Sequence, residues 1–212
     1  VDIVLQGGIS DALDNLVTVG NALTSGFNNA RLQDPDVNVT ASSGTLTVTK
    51  LNLIKAATTG TITASISGTA NALTSLNTVA ADAITMTVAA GTVTAADLAT
   101  IDGKTSVTVD ASAVTKITGS DTEVRAALTA DGNNTLNIDT DFETDVSGDV
   151  SVSNANTIVL ATTGQVDFAG TITDSMASML NGDGDGLSTA FAAVTKGDAS
   201  SDGDGGVDVT VN

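Results

Sequence analysis

The 212-residue chain has no cysteine, histidine, tryptophan or tyrosine, and only one proline, Pro35. Without histidine or cysteine it lacks the usual general base near neutral pH and the most reactive side-chain nucleophile. A Ser-Lys pair is chemically conceivable, but no motif supports one. Four phenylalanines are the only aromatics, too few for the stacking platforms that accompany paired carboxylates in glycoside hydrolysis. The chain is therefore read as non-catalytic. A cysteine-free, acidic chain also suits export by a route where stray thiols are a liability. Seven bases stand against 25 acids, a net charge of −18. That balance excludes the clustered Lys and Arg that phosphate backbones require, so no nucleic acid is expected as a partner. No apolar run approaches the roughly 18 residues that span a bilayer, and no membrane insertion is expected. No signal peptide is visible at Val1, and the opening Val-Asp-Ile-Val-Leu reads as that of a fragment or processed product.

What is present points to order. The chain is 41% hydrophobic with mean hydropathy +0.24, and its Val and Ile alternate with Thr and Ser as a half-buried strand requires. This excludes a disordered polymer in spite of the abundant Gly, Ser and Asp. The interior must be built from Val, Ile, Leu and Ala. Thr occurs 35 times and Asp 23 times against two Glu, Glu123 and Glu143. Asp favours turns, caps and hard-cation sites over helix interiors. Residues 131–212 hold fourteen of the acids and one base, Lys196.

Self-similarity organises the chain. The segments starting at Gly44, Gly91 and Gly148 align without gaps over eleven residues, 47 and 57 residues apart. Ala57-Thr-Thr-Gly60 and Ala161-Thr-Thr-Gly164 repeat the 104-residue offset of the first and third segments. Repeats of this length cannot bury a face alone and complete one another by stacking. The expected fold is mainly β with short helices, a repeat-built β-solenoid of α/β-solenoid type, with a β-sandwich as the alternative. Three regions follow: an N-terminal cap over 1–43, solenoid repeats over 44–175 and an acidic Asp/Gly-rich segment over 176–212.

Strands are expected at 45–49, 61–67, 84–88, 106–110, 135–139, 150–153, 165–168 and 207–211. Helices are expected at 10–24, 70–80, 95–101, 120–130, 174–180 and 187–195, with Ser120-Asp-Thr-Glu123 as a capping box. Apolar strand residues should face inward and Thr outward, forming ladders. The end strands Val1–Leu5 and Val207–Val211 are candidates for pairing between copies or for capping the stack.

Residues Thr94-Ala-Ala-Asp-Leu-Ala-Thr-Ile-Asp-Gly-Lys-Thr-Ser-Val-Thr-Val-Asp-Ala-Ser-Ala-Val-Thr-Lys-Ile-Thr-Gly119 resemble the Thr/Ala/Asp-rich repeats of giant secreted or cell-surface proteins of marine cyanobacteria and proteobacteria. The resemblance spans roughly residues 44–175 and is compositional. It implies an extracellular, often calcium-associated structural protein with no catalytic residues. The glycine-rich nonapeptide of toxin-type calcium repeats is absent.

Asn181-Gly-Asp183-Gly-Asp185-Gly186 matches the first half of a helix-loop calcium site, with alternating oxygen ligands and Gly at the sixth position. Position twelve is Ala192 instead of a bidentate Glu. Asp202, Asp204 and Asp208 repeat the pattern more loosely. Both stretches also read as solvated Asp-Gly turns. Asp139, Asp141, Glu143 and Asp145 alternate, so an extended segment would place all four on one face, where cations would relieve their repulsion. The expected function is a calcium-stabilised structural protein of the cell surface: an S-layer or filament subunit, or an adhesin segment, associating with neighbouring copies. Its alternatives are an ice- or glycan-binding module, suggested by the Thr ladders, and a phage fibre or other virion structural protein.

Overall fold

In the computed structural model, which describes residues 5–197 and 209–211, a single hydroxyl device recurs along the chain. Thr24, Thr47, Thr69, Thr94, Ser120, Ser151, Ser175 and Ser188 each accept the backbone N–H three residues on, at 3.0–3.4 Å. Each such contact satisfies one of the orphan donors at a helix start.

The elements run β1 (Ile9–Asp11), α1 (Leu13–Leu16), α2 (Ser25–Gln33), β2 (Val39–Ala41), α3 (Val48–Ala57), β3 (Ile62–Gly68), α4 (Ala70–Leu73), β4 (Ala83–Val88), β5 (Gly91–Thr94) and α5 (Ala95–Asp102). They continue as β6 (Val109–Asp110), β7 (Val114–Ser120), α6 (Asp121–Gly132), β8 (Leu136–Asn137), β9 (Glu143–Ser147), α7 (Val152–Ala161), β10 (Val166–Phe168), β11 (Ile172–Asp174), α8 (Met176–Met179), α9 (Thr189–Gly197) and β12 (Val209–Val211). They belong to two compact units, one of residues 1–89 and 100–110, the other of 90–99 and 111–212.

In the first unit β1, β2, β3, β4 and β6 lie side by side in that order, all parallel. Ile62, Ala64 and Ile66 of β3 point inward with Ile84, Met86 and Val88 of β4, all at most 5% exposed, and Leu51 and Ile54 of α3 are fully buried as well. The outward residues fall in register: Ser10, Thr40, Thr63 and Ala83 form one row, Ser65 and Thr85 a second, Ser67, Thr87 and Asp110 a third.

In the second unit β5, β7, β9 and β10 are likewise parallel neighbours. Val93, Ile117, Thr144 and Val166 form an inward row, with Thr144 fully buried and donating to the Ile117 carbonyl at 2.8 Å. Phe142, Val146 and Ile158 complete that interior at 1% exposure or less. The predicted capping box is present: Ser120 Oγ accepts the Glu123 N–H, and Glu123 Oε2 accepts the Ser120 N–H at 2.8 Å.

The inward apolar and outward hydroxyl pattern matches the expectation, but the class does not. Helix takes 35% and strand 27% of the described residues, so the class is mixed α/β with parallel sheets, not mainly β, and the sheets are not the antiparallel ones of a β-sandwich. Two expected strands are helix starts. Thr45–Thr49 contains the cap Thr47 and the first residues of α3; Val150–Ser153 contains the cap Ser151 and the first residues of α7. Alternating Thr and Val misled because Thr was serving as a cap, where its side chain competes for backbone donors instead of packing on a sheet. The expected helix over 10–24 resolves into β1, the single-turn α1 and a bridge between Val17 and Leu23; that over 70–80 is only α4. The offsets of 47 and 57 residues each cover two steps from cap to cap, Thr47 to Thr94 by way of Thr69 and Thr94 to Ser151 by way of Ser120. Among the end strands, Val1–Val4 and Val207 lie outside the described residues. Val209–Val211 pairs within the chain, parallel to β11.

Candidate functional site

The Asn181–Gly186 segment closes on itself. Asn181 donates its side-chain N–H to Asp185 Oδ1 at 2.8 Å and accepts the Asp185 N–H at 3.2 Å; its own N–H bonds the Gly186 carbonyl. Leu180 and Leu187 pair antiparallel at its base. Asn181, Asp183 and Asp185 thus share one exposed turn between α8 and α9, in which Asn181 already satisfies Asp185. Asp202, Asp204 and Asp208 lie outside the described residues. Among the described residues no three His, Cys, Asp or Glu side chains gather as a metal set.

The alternating acids are divided by their backbone. Asp139 and Asp141 precede β9 in a turn, and only Glu143 and Asp145 lie on the strand. Both face outward beside β7. Lys116 Nζ lies 2.6 Å from Asp145 and 3.9 Å from Glu143. Asp145 is in turn in register with Asp167 of β10. The hydrogen bond to Asp145, with the nearby charges of Glu143 and Asp167, raises the Lys116 pKa above its ordinary value. The positive charge expected from a cation on this face is thus supplied in part by a lysine.

Two structural motifs went unassigned in the sequence. The first is a threonine corner after α3, α5 and α7. Thr58 Oγ1 donates to the Val37 carbonyl at 2.6 Å and accepts the Gly60 N–H at 2.9 Å. Thr162 does the same with the Phe142 carbonyl and the Gly164 N–H, and Thr105 with the Ile84 carbonyl and the Val107 N–H. Each hydroxyl ties one turn of chain to a carbonyl in or just before the strand about twenty residues earlier. A Cβ at Gly60 would collide with the carbonyl oxygens of Asp36 and Val37, and one at Gly164 with those of Phe142 and Asp141. The repeated Ala-Thr-Thr-Gly was therefore the visible trace of this corner.

The second is a buried ion pair in the first unit. The Asp82 side chain is fully buried; Lys55 Nζ lies 3.0 Å from both of its oxygens, and the Ile62 and Val79 N–H groups donate to it at 2.9 Å. Four contacts satisfy the carboxylate, which is the condition for burying a charge at tolerable cost. Thr78, in the same turn, has the one buried side-chain oxygen without a partner among the described residues. Nothing about Lys55 or Asp82 in sequence marked them as partners 27 residues apart.

One hydroxyl-lined surface is shallow: Ser65, Ser67, Thr85 and Thr87 bound a depression of about 210 Å³ on the outer face of β3 and β4. Among the described residues no helix is long and apolar enough to cross a membrane. Compared with family models, with curated proteins and with solved structures, the chain matches none, and no enzyme family claims it.

Proposed function

We propose that the chain is a non-catalytic structural module of an extracellular surface assembly, a subunit or segment of a surface layer, filament or adhesin, each of whose units is a short α/β-solenoid. The observation that carries the reading is the parallel registration, in both units, of neighbouring strands offset by 20–30 residues, as in Ile9 on Val39, Thr63 on Ala83 and Ile117 on Thr144. Each turn of such a coil completes the aliphatic interior of its neighbour and offers Ser, Thr and Asp outward, so the interior can be extended without a new fold. An acidic exterior keeps such a module soluble at high density. The compositional resemblance to giant surface proteins supports the same location. Calcium enters through the acid-rich segment that contains Asn181, Asp183, Asp185, Asp202, Asp204 and Asp208, where a divalent cation would reduce repulsion between copies.

Negative-stain microscopy of the purified chain with calcium and after chelation tests this. Filaments or sheets that form with calcium and dissolve with chelator are expected. Dispersed particles under both conditions would overturn the assembly reading. The hydroxyl rows of the first unit favour a second reading, a flat binding face for ice or glycan. Thermal hysteresis, lost in Thr85→Tyr, is its test.

A further inference from the structure

We infer that Asn181 is a self-modifying site whose side-chain amide is lost to attack by the Gly182 nitrogen, and that this loss opens the turn between α8 and α9. Asn181 is the one asparagine of the chain followed by glycine. A backbone nitrogen attacks the preceding side-chain amide readily only where its own residue leaves the approach clear, and glycine presents no Cβ to obstruct it. The structure adds three conditions. Asn181 and Gly182 are both exposed, and a Cβ at Gly182 would have nothing within 4 Å. Among the described residues the Gly182 N–H makes no hydrogen bond, so no partner holds the nucleophile back. The Asp185 N–H donates to Asn181 Oδ1 at 3.2 Å, the atom on which negative charge gathers as the nitrogen adds to Cγ.

The step balances with water alone. The Gly182 nitrogen gives its proton to solvent and bonds to Asn181 Cγ. The Cγ–Nδ2 bond then breaks, Nδ2 takes a proton from solvent, and ammonia departs to leave a cyclic imide. Water opens that ring at either carbonyl, so position 181 ends as aspartate or as isoaspartate, in which the main chain runs through the former side chain.

Asn181 is the hub of its turn, so the change is not silent. Its N–H reaches the Gly186 carbonyl at 2.9 Å, its carbonyl takes the Gly184 N–H at 3.0 Å, and Nδ2 donates to Asp185 Oδ1 at 2.8 Å. Either product replaces the Nδ2 donor with a carboxylate beside that of Asp185, and isoaspartate also lengthens the main chain between the two backbone contacts. The turn leads into α9, whose Phe191 and Val194 are buried; opening it loosens that helix. A long-lived chain thus carries a timer in this turn.

Peptide mapping by mass spectrometry of the full chain, held for weeks in warm neutral buffer, tests this. A gain of about one mass unit at residue 181, with isoaspartate present, is expected well before any change at Asn133 or Asn134, which are exposed as well but precede Asn134 and Thr135. Gly182→Ala, whose methyl has room, should slow the conversion about tenfold or more with unchanged circular dichroism. Amide hydrogens of α9 should exchange faster in the converted chain than in the fresh one. An Asn181 that survives in the folded chain while converting in the same chain unfolded by urea would overturn the assignment, and so would a rate indifferent to Gly182→Ala. Conversion with unaltered exchange in α9 would overturn the opening of the turn.

Discussion

Residues 44–66 and 148–170 are two versions of one module, and they differ on the side that meets solvent. Both open on a glycine with positive φ, Gly44 at 108° and Gly148 at 79°. Both cap a ten-residue helix with a hydroxyl, Thr47 or Ser151, and turn eleven residues later on a threonine, Thr58 or Thr162. Both then enter a strand through a glycine that admits no side chain, Gly60 or Gly164, and bury its first residue, Ile62 or Val166. The outer rows diverge. In the first unit they carry Thr63, Ser65, Thr85 and Thr87; in the second Thr92, Thr94 and Thr118 share them with Lys116, Glu143 and Asp145. The device that fixes the turn of the chain is thus separable from the chemistry shown outside. The first unit further differs in holding the Lys55–Asp82 pair; the residue 104 positions after Asp82 is Gly186.

The largest break in the comparison should come from that pair. Asp82→Ala strands the Lys55 ammonium and the Ile62 and Val79 N–H groups, an expected loss of about 3–5 kcal/mol, read by chemical denaturation with hydrogen exchange localising it to the first unit. If the loss spreads equally over both units, the pair is not a local clasp.

How much of this could be read in advance follows from the range of each interaction. The capping box at Ser120 and the period-two strand of β3 depend on neighbours within a few residues, and the sequence displayed both. The alignment on Gly44, Gly91 and Gly148 was visible as well, but its meaning was inverted: Thr47 and Ser151 looked like strand residues because alternation alone does not separate a strand from a hydroxyl-capped helix start. Lys55 with Asp82, and Lys116 with Asp145, meet only through parallel registration, and no local pattern encodes a contact 27 or 29 residues away. At the candidate cation turn, the sequence placed Asn181 and Asp185 together but could not show that the asparagine amide bonds the aspartate.

The glycine corners should sharpen the likeness between the modules. Gly60→Ala and Gly164→Ala force a Cβ onto backbone carbonyls and should each cost about 1–3 kcal/mol, with similar shifts in denaturation midpoint. A harmless substitution at either site would dissolve the equivalence. The caps should do the same on a smaller scale: Thr47→Ala and Ser151→Ala are each expected to lose about 1 kcal/mol.

pH should separate the units most gently. The Asn15 amide and the Ala12 N–H lower the pKa of Asp11 in the first unit. In the second, the Ser120 N–H and hydroxyl lower that of Glu123, and the Ser175 N–H, followed by the Ser178 side chain, lowers that of Asp174. A carboxylate with a lowered folded-state pKa contributes stability above its ordinary range and loses it as pH falls through the folded value, so both units should weaken in acid. Lys116, with its pKa raised by Asp145, contributes below its ordinary value and loses that contribution as pH climbs through the folded one. Alkaline weakening by this route is expected in the second unit, and Lys116→Met should reduce it in a titration followed by circular dichroism.

Parallel registration carries the whole account, and the absence of native cysteine allows it to be measured directly. Ser65→Cys with Thr85→Cys places two thiols on the outer face of β3 and β4 at paired positions, whereas Ser65→Cys with Met86→Cys places one outside and one in the core. A short bis-alkylating reagent added to the folded chain should cross-link the first pair quantitatively and leave the second unlinked. Efficient linkage of the second pair, or none of the first, would contradict the registered stack.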